Sequence, residues 1–185
     1  MFILYALVAG IVLGFLRGGS LLGLGRIQFH WAPLVLIGFL TQVVLFSDAV
    51  AARVGDAGPP LYVASTVLVG VAVLRNLRLP GIALIATGAL SNMAAILANG
   101  GFMPAAPGAL ASLGKGAPTV YSNSSVVAQP ALELLTDRFA LPAGLPFANV
   151  FSVGDVLLGV GVVILIVAAM APAPHRPVPD GTSVV

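Results

Sequence analysis

The sequence predicts an all-α integral membrane protein, a helical bundle of about five transmembrane helices with an ordered external cap. Composition is the first observation: 59% of the 185 residues are apolar and only 8% are charged, whereas a soluble domain carries about 25% charged residues. Distribution is the second, because the apolar residues gather into five runs separated by basic, glycine or proline turns. So few charges cannot cover so much apolar surface in water, and the bilayer is the predicted solvent.

The five predicted spans begin or end at basic or helix-breaking residues. Arg17 ends the first, Pro60 opens the third and Pro172 stops the fifth. A full crossing needs about 20 residues, so the first and third spans must extend through flanks whose arginines reach back to the headgroups. The third could instead be re-entrant or tilted. The first run has no basic segment before it and no cleavage site after it, so we expect a retained helix and not a signal peptide. The spans cover residues 2–16, 31–46, 61–74, 81–98 and 153–171.

The basic residues near the span ends predict the orientation. One side, with the first and third turns and the tail, carries five, which are Arg17, Arg26, Arg75, Arg78 and Arg176. The other side carries three, which are Arg53, Lys115 and Arg138. The more basic side of a membrane protein faces the cytoplasm. We therefore expect the N-terminus outside and a flexible, proline-rich cytoplasmic tail over residues 172–185.

Residues 101–151 form the predicted external cap. They contain six prolines but are too apolar for a disordered segment, and a loop this long is usually functional or a linker. Within it, PALELLTDRF predicts a short amphipathic helix with Leu132 and Phe139 on one face. Glu133 and Asp137 would then lie four residues apart on an exposed face, where they could bind a cation or simply face water.

Two asparagines in NMAAILANGGFMP mark the end of the fourth span. Asn92 and Asn99 are seven residues apart, nearly two helical turns, so their side chains share a face. Small residues on the same face predict that it points into the bundle. Hydrogen bonding between helices is one interpretation. The other is a polar pocket under the cap, which Gln42 and Asp155 could also reach.

Asp155 is the carboxylate expected within membrane depth, which makes it a candidate for a proton, ion or ligand site. The stretch SVGD offers a second interpretation. Ser152 as N-cap with Asp155 three residues later matches a capping box, and an acid at that position also complements the helix dipole. The two roles are compatible.

Composition disfavours several classes of function. The chain has no cysteine, which excludes disulfides, thiol catalysis and thiolate-bound metal. A net charge of +2 without a dense basic run disfavours nucleic acid as a partner. His30 beside Trp31 predicts an interface anchor and not a haem ligand; no metal is predicted, and the cofactor stays unknown.

Gly10 and Gly14 form a GxxxG pattern, typical of close helix packing within a chain or between copies.

Three motifs follow one another along the chain: NxxxxxxNGGxMP, then LxDR, then SxGDxL. They fall on Asn92, Asn99, Gly100, Gly101, Met103 and Pro104, then on Leu135, Asp137 and Arg138, then on Ser152, Gly154, Asp155 and Leu157. This order resembles a bacterial family of small multi-pass membrane proteins known only as a domain of unknown function. The resemblance implies a protein of the bacterial inner (plasma) membrane with a motif-bearing external cap, and it implies no activity.

The leading functional hypothesis is a non-catalytic membrane protein that binds a protein partner or an apolar ligand at its outer face, for example as an accessory subunit of a membrane complex. Membrane lipids, and a second copy packed through small-residue helix faces, are further expected partners. The alternative is a small transporter or channel with a polar pathway under the cap. A lipid- or isoprenoid-modifying enzyme would need an acid–base pair from the few carboxylates near the outer face. The candidate binding residues are Asn92, Asn99, Gln42, Asp137, Arg138 and Asp155.

Overall fold

The computed structural model describes residues 2–114 and 124–172, and this part of the chain is mostly helical, as predicted. Its five long helices occupy the five apolar runs and begin and end within three residues of the expected positions. The predicted tail, apart from its first residue, lies outside the described residues, as does Lys115. In chain order the helices are α1 (Phe2–Leu16), α2 (Ala32–Leu45), α3 (Asp48–Ala51), α4 (Gly58–Arg75), α5 (Ile82–Ala98), α6 (Pro107–Ser112) and α7 (Val153–Met170).

Two helical stretches in the described residues are long and apolar enough to cross a membrane. One is Gly55–Arg75, in which a 3-10 turn precedes α4, and the other is α7. Within their 18-residue apolar windows only 28% and 22% of the residues are buried inside the structure. The other three long helices, α1, α2 and α5, are apolar but have 15, 14 and 17 residues, which is short of the roughly 20 that a full crossing needs.

The long helices lie in one row, α1–α7–α5–α4–α2, and each helix packs extensively against the next one in the row. Glycine permits a close approach between α5 and α7, because a Cβ atom at Gly88 would collide with the carbonyl oxygen of Gly154. Gly10 and Gly14 likewise bring α1 directly against side chains of α7. The GxxxG pattern of the first run therefore serves packing within the chain.

We refer to residues 101–151 as the cap, and its described part, residues 101–114 and 124–151, covers the end of the row at which α1, α4 and α7 begin and α2 and α5 end. Phe2 of α1 stacks on Phe151, with ring centroids 4.7 Å apart. Gly101 has a φ of +89° and passes directly over Pro59 at the start of α4. A buried cluster joins the first cap residues to three helices and consists of Leu45, Tyr62, Ala95, Ile96 and Met103.

Short strands give the described part of the cap its order. Strand β1 (Met103–Pro104) pairs in parallel with β2 (Ser124–Ser125), and β3 (Phe139–Ala140) pairs antiparallel with β4 (Val150–Phe151). The cap is therefore not helical throughout, and it has a small apolar core of its own. That core consists of Ala105, Ala109, Leu110 and Val150.

The amphipathic helix predicted for PALELLTDRF is wrong. The segment holds one 3-10 turn, Glu133–Leu135, followed by extended backbone. The backbone N–H of Asp137 donates to the carbonyl of Pro104, and its carbonyl accepts from the N–H of Ala106, both at 2.9 Å. These bonds to a segment some thirty residues away outweigh a helix propensity, which is a weak preference that tertiary contacts override. Glu133 and Asp137 therefore do not share an exposed face.

Candidate functional site

Ser152 and Asp155 form the capping box predicted for the start of α7. The backbone N–H of Asp155 donates to Ser152 Oγ, and the backbone N–H of Ser152 donates to Asp155 Oδ2, each at 3.0 Å. The two bonds satisfy backbone donors at a helix start that have no carbonyl partner within the helix. The box therefore fixes the carboxyl of Asp155 at the cap end of the row.

Asn92 of α5 completes this network. Its Nδ2 donates to Asp155 Oδ1 at 2.9 Å, and its Oδ1 accepts from Ser152 Oγ at 2.8 Å. The short amide side chain can span the two helices because the backbones of Gly88 and Gly154 meet one turn away. The predicted interhelical hydrogen bond of Asn92 is thus present, and its partners are the two side chains of the capping box.

Asp137 brings a second carboxyl to this end of α7 from the cap. The residue is only 6% exposed, which corrects the expectation of an acid that faces water. Burial, together with the negative charge of the nearby Asp155, raises the pKa of Asp137 from 3.8 to about 7. No side-chain hydrogen bond reaches its carboxyl from the part of the chain that the structure describes. We refer to Asn92, Asp137, Ser152 and Asp155 as the carboxyl cluster.

The carboxyl cluster has no basic partner among the described residues. Arg138, the neighbour of Asp137, points away and pairs with Glu133 at 3.2 Å, with both side chains well exposed. An exposed pair of this kind contributes at most about 1 kcal/mol. Within the LxDR motif, Asp137 is therefore buried and Arg138 is exposed. Arg138 does not neutralise the charge of Asp137, because it pairs with Glu133.

Asn99 and Gln42 lie in other networks. Asn99 Nδ2 donates to the carbonyls of Ala95 and Ala131, and its Oδ1 accepts from the N–H of Ala131 at 2.9 Å. It therefore clamps a cap residue to the end of α5. Gln42 Nε2 donates to the hydroxyls of Ser65 and Thr66, both at 3.2 Å, and joins α2 to α4. Of the predicted polar set, the structure brings together Asn92, Asp155 and Asp137.

Replacing Asn99 by alanine should loosen the cap around Ala131 without unfolding the bundle. The change removes both hydrogen bonds to the Ala131 backbone, each worth about 1 kcal/mol, so we expect hydrogen exchange at the Ala131 amide to accelerate by about tenfold or more. Thr87→Ala is the control, since that hydroxyl donates within α5 to the carbonyl of Ala83. Equal exchange at Ala131 in both variants would show that Asn99 does not hold the cap.

The cap also carries exposed apolar side chains that the sequence motifs did not single out. Two of them stand on a left-handed backbone: φ is +52° at Leu132 and +55° at Phe147. This conformation costs a residue with a Cβ atom about 1–2 kcal/mol, and such strain is concentrated at functional positions. In the sequence, the signal that could have identified these exposed side chains was the apolar composition of FALPAGLPFANVF, residues 139–151. We call these five residues the apolar cap surface: Leu132, Leu134, Phe139, Leu145 and Phe147.

A small apolar pocket of about 150 Å³ lies between α4 and α5, the least extensively packed pair of neighbours in the row. Its lining includes Gly70, Val71, Leu90 and Met93. Pockets for drug-sized ligands measure about 300–1,000 Å³, so this space suits a methyl-rich group or part of a lipid chain. Among residues 2–114 and 124–172 no three His, Cys, Asp or Glu side chains come together as metal ligands.

In the residues that the structure describes, these features define a mostly helical protein with two stretches long and apolar enough to cross a membrane. A partly buried carboxyl cluster lies where the cap meets α7. The chain belongs to a family of unknown function, DUF5317, which matches residues 26–167. The family relationship predicted from the three motifs is confirmed, and all three motifs lie inside the matched range. Comparison with curated proteins and with solved structures gives no match.

Proposed function

We propose that the chain is an inner-membrane protein whose five long helices cross the bilayer and whose cap binds a protein partner, without chemistry of its own. The sides of the helices support the membrane part of this proposal. Fewer than a third of the residues in the apolar windows of α4 and α7 are buried, whereas the core helix of a soluble protein is mostly buried. Large apolar side chains are exposed on all five helices, for example Val8, Leu36, Val71, Leu90 and Val160.

The distribution of charge supports an orientation with the cap outside. Exposed arginines stand near the end opposite the cap, and these are Arg17, Arg26, Arg75 and Arg78. The acidic residues of the described part all belong to the cap end, and these are Asp48, Asp56, Glu133, Asp137 and Asp155. Because arginine and lysine accumulate on the cytoplasmic side of membrane proteins, this asymmetry favours a cytoplasmic end opposite the cap.

The apolar cap surface is the observation that carries the partner proposal. Leu134 is 74% exposed and Phe147 is 70% exposed, in a segment that lies beyond the ends of the long helices. A contiguous patch of exposed apolar side chains on a folded surface is typical of an interaction site, and we infer that these five residues form such a patch. Aromatic side chains in particular supply much of the binding free energy in protein interfaces. A protein partner fits this surface better than a small apolar ligand, because its five residues line neither described pocket. The pocket of about 150 Å³ lies between α4 and α5, and an open apolar groove of about 420 Å³ lies along α2, α3 and α4.

Replacing both Leu134 and Phe147 by serine should release the partner while leaving the fold intact. Each anchor residue contributes about 2 kcal/mol or more to a typical interface, so we expect a loss of at least tenfold in bound partner. The measurement is mass spectrometry of the protein taken from its own membranes into nanodiscs, with proteins and small molecules both recorded. Leu22→Ser, at an 84% exposed residue near the opposite end, is the matched control.

The outcomes separate the proposed functions. A stoichiometric partner that survives Leu22→Ser and is lost with the cap variant supports the proposal. A wild-type protein that carries one lipid or another apolar molecule, with no protein, would replace the partner by an apolar ligand. A wild-type protein recovered alone would contradict both versions of binding at the cap.

Transport is the second candidate function, and the carboxyl cluster is the observation that favours it. The cluster brings the amide of Asn92 and the carboxyls of Asp137 and Asp155 to the place where the cap meets the helices. Polar and ionisable residues that face the interior of a helix bundle mark ion and proton pathways in membrane proteins. In this version the cap would gate a pathway that leads to the cluster, and a wild-type protein without any bound partner would favour it.

A further inference from the structure

We propose that Asp137 and Asp155 together hold one proton, taken up from water, and that this proton holds the cap segment around Asp137 in place between the first cap strand and the start of α7. The two carboxyls come from different parts of the chain. Asp137 belongs to the cap segment that is bridged to Ala105, and Asp155 belongs to the first turn of α7. The proton site does not depend on what binds the apolar cap surface, so it stands or falls independently of the partner proposal.

The hydrogen bonds assign the proton to Asp137. Both oxygens of Asp155 accept from N–H donors, Oδ1 from Asn92 and Oδ2 from the backbone of Ser152. An ionised carboxylate accepts on both oxygens, whereas a protonated one turns an acceptor into a donor. A proton on Asp155 would therefore compete with one of these bonds. The carboxyl of Asp137 accepts no such bond from the described residues, so a proton on Asp137 displaces none of the hydrogen bonds that these residues make.

The surroundings make a second negative charge costly. Asp137 is 6% exposed and Ser152 is fully buried, and a carboxylate removed from water needs a counter-charge or a proton. The groups that face Asp137 from the described elements offer no positive charge. The strand segment at Pro104 and Ala106 is neutral, and α7 contributes a second carboxylate. In its own segment Arg138 is occupied by Glu133.

Protonation of Asp137 would make the contact between the cap and α7 depend on pH. With the proton present, the cluster carries one negative charge, which the hydrogen bonds at the start of α7 already stabilise. Without it, two carboxylates repel each other across the boundary between cap and helix. The raised pKa of Asp137, about 7, agrees with a proton that is exchanged with water near neutral pH. The cap would then be held tightly in acid and loosely in alkali.

Infrared difference spectroscopy during a pH titration tests the site in the full chain in nanodiscs. We expect an absorption band of a protonated carboxyl that disappears with a midpoint near pH 7 in the wild type. The band should be missing in Asp137→Asn, and in Asp155→Asn its midpoint should move to lower pH because a like charge is removed. Glu133→Gln, which alters an exposed acid outside the cluster, should leave both the band and its midpoint unchanged.

Three results would overturn the proposal. The first is a band that persists in Asp137→Asn, and the second is a wild-type protein with no protonated carboxyl above pH 5. The third is a midpoint that falls as sodium replaces choline at constant ionic strength, since a metal cation would then be the ligand. If Asp137→Asn does not fold, the shift of the band's midpoint in Asp155→Asn still tests the proposal. After correction for the intrinsic pH dependence of amide exchange, exchange at the Asp137 amide must slow as the band grows, and a corrected rate that does not change would contradict the fastening role.

Discussion

Replacing Asp137 by asparagine should remove most of the pH dependence of cap opening and should strengthen the closed cap at alkaline pH. Hydrogen exchange at two backbone amides measures this opening. The amide of residue 137 donates to Pro104, and the amide of Ala106 donates to the carbonyl of residue 137. Both bonds break when this part of the cap separates from the first cap strand. The substitution keeps the shape of the side chain and both backbone bonds, and it removes only the ionisable group.

The direction of the effect follows from proton binding. In the closed cap the pKa of Asp137 is about 7, and in the opened cap it returns to about 3.8. Between these values the closed state binds more protons than the open state, so the free energy of opening falls as the pH rises. The fall is about 1.4 kcal/mol for each pH unit and about 4 kcal/mol over the whole interval. Below pH 4 and above pH 7 the dependence should level off.

The control for this measurement is Glu133→Gln, because Glu133 lies in the same segment but pairs with Arg138 at the surface. We expect this variant to follow the wild-type curve after correction for the intrinsic pH dependence of exchange. Asp137→Asn should give a flat curve that lies near the acid limit of the wild type. A wild-type opening free energy that does not change between pH 4 and pH 8 would contradict the assignment.

The helices could be predicted from the sequence because their signals are local. Each long apolar run became a helix, and the only early start, that of α4, follows a 3-10 turn that leads directly into the helix. The capping box at Ser152 was also predictable, since it involves two residues three positions apart in the sequence. Local propensity failed only where the chain pairs with a distant segment, as at Asp137.

The carboxyl cluster could be predicted only in part. Sequence reasoning singled out Asn92 and Asp155, but it could not choose their partners, because residues 63 positions apart meet only once the helix order is known. It placed Asp137 on the wrong side, since nothing local indicates that its backbone bridges Ala105. The left-handed conformation of Phe147 has no local signal either, since the residue is not a glycine. What was missing was the long-range pairing, between α5 and α7 for Asn92 and between two cap segments for Asp137.

Replacing Gly154 by alanine should destabilise the protein by about 2–6 kcal/mol. A Cβ atom at this position would fall on Asn92 Oδ1 and would also press on the carbonyl of Gly88, 2.9 Å away. Overpacking of this kind costs about 1–3 kcal/mol. The displaced amide would also leave the partly buried carboxylate of Asp155 short of a donor, which costs about 1–3 kcal/mol more. Chemical unfolding in a mild detergent measures the loss, with helical circular dichroism as the signal.

Two further variants identify the cause of that loss. Gly70→Ala in α4 is the matched control, because a Cβ atom there would meet nothing within 4 Å; it should be neutral or stabilise by up to about 1 kcal/mol. Adding Asn92→Ala to Gly154→Ala removes the group that the new methyl strikes, so the double variant should lose clearly less than the sum of the single losses. Additive losses would place the collision on the backbone of Gly88 instead. The close approach of α5 and α7, and not the amide, would then be what residue 154 protects.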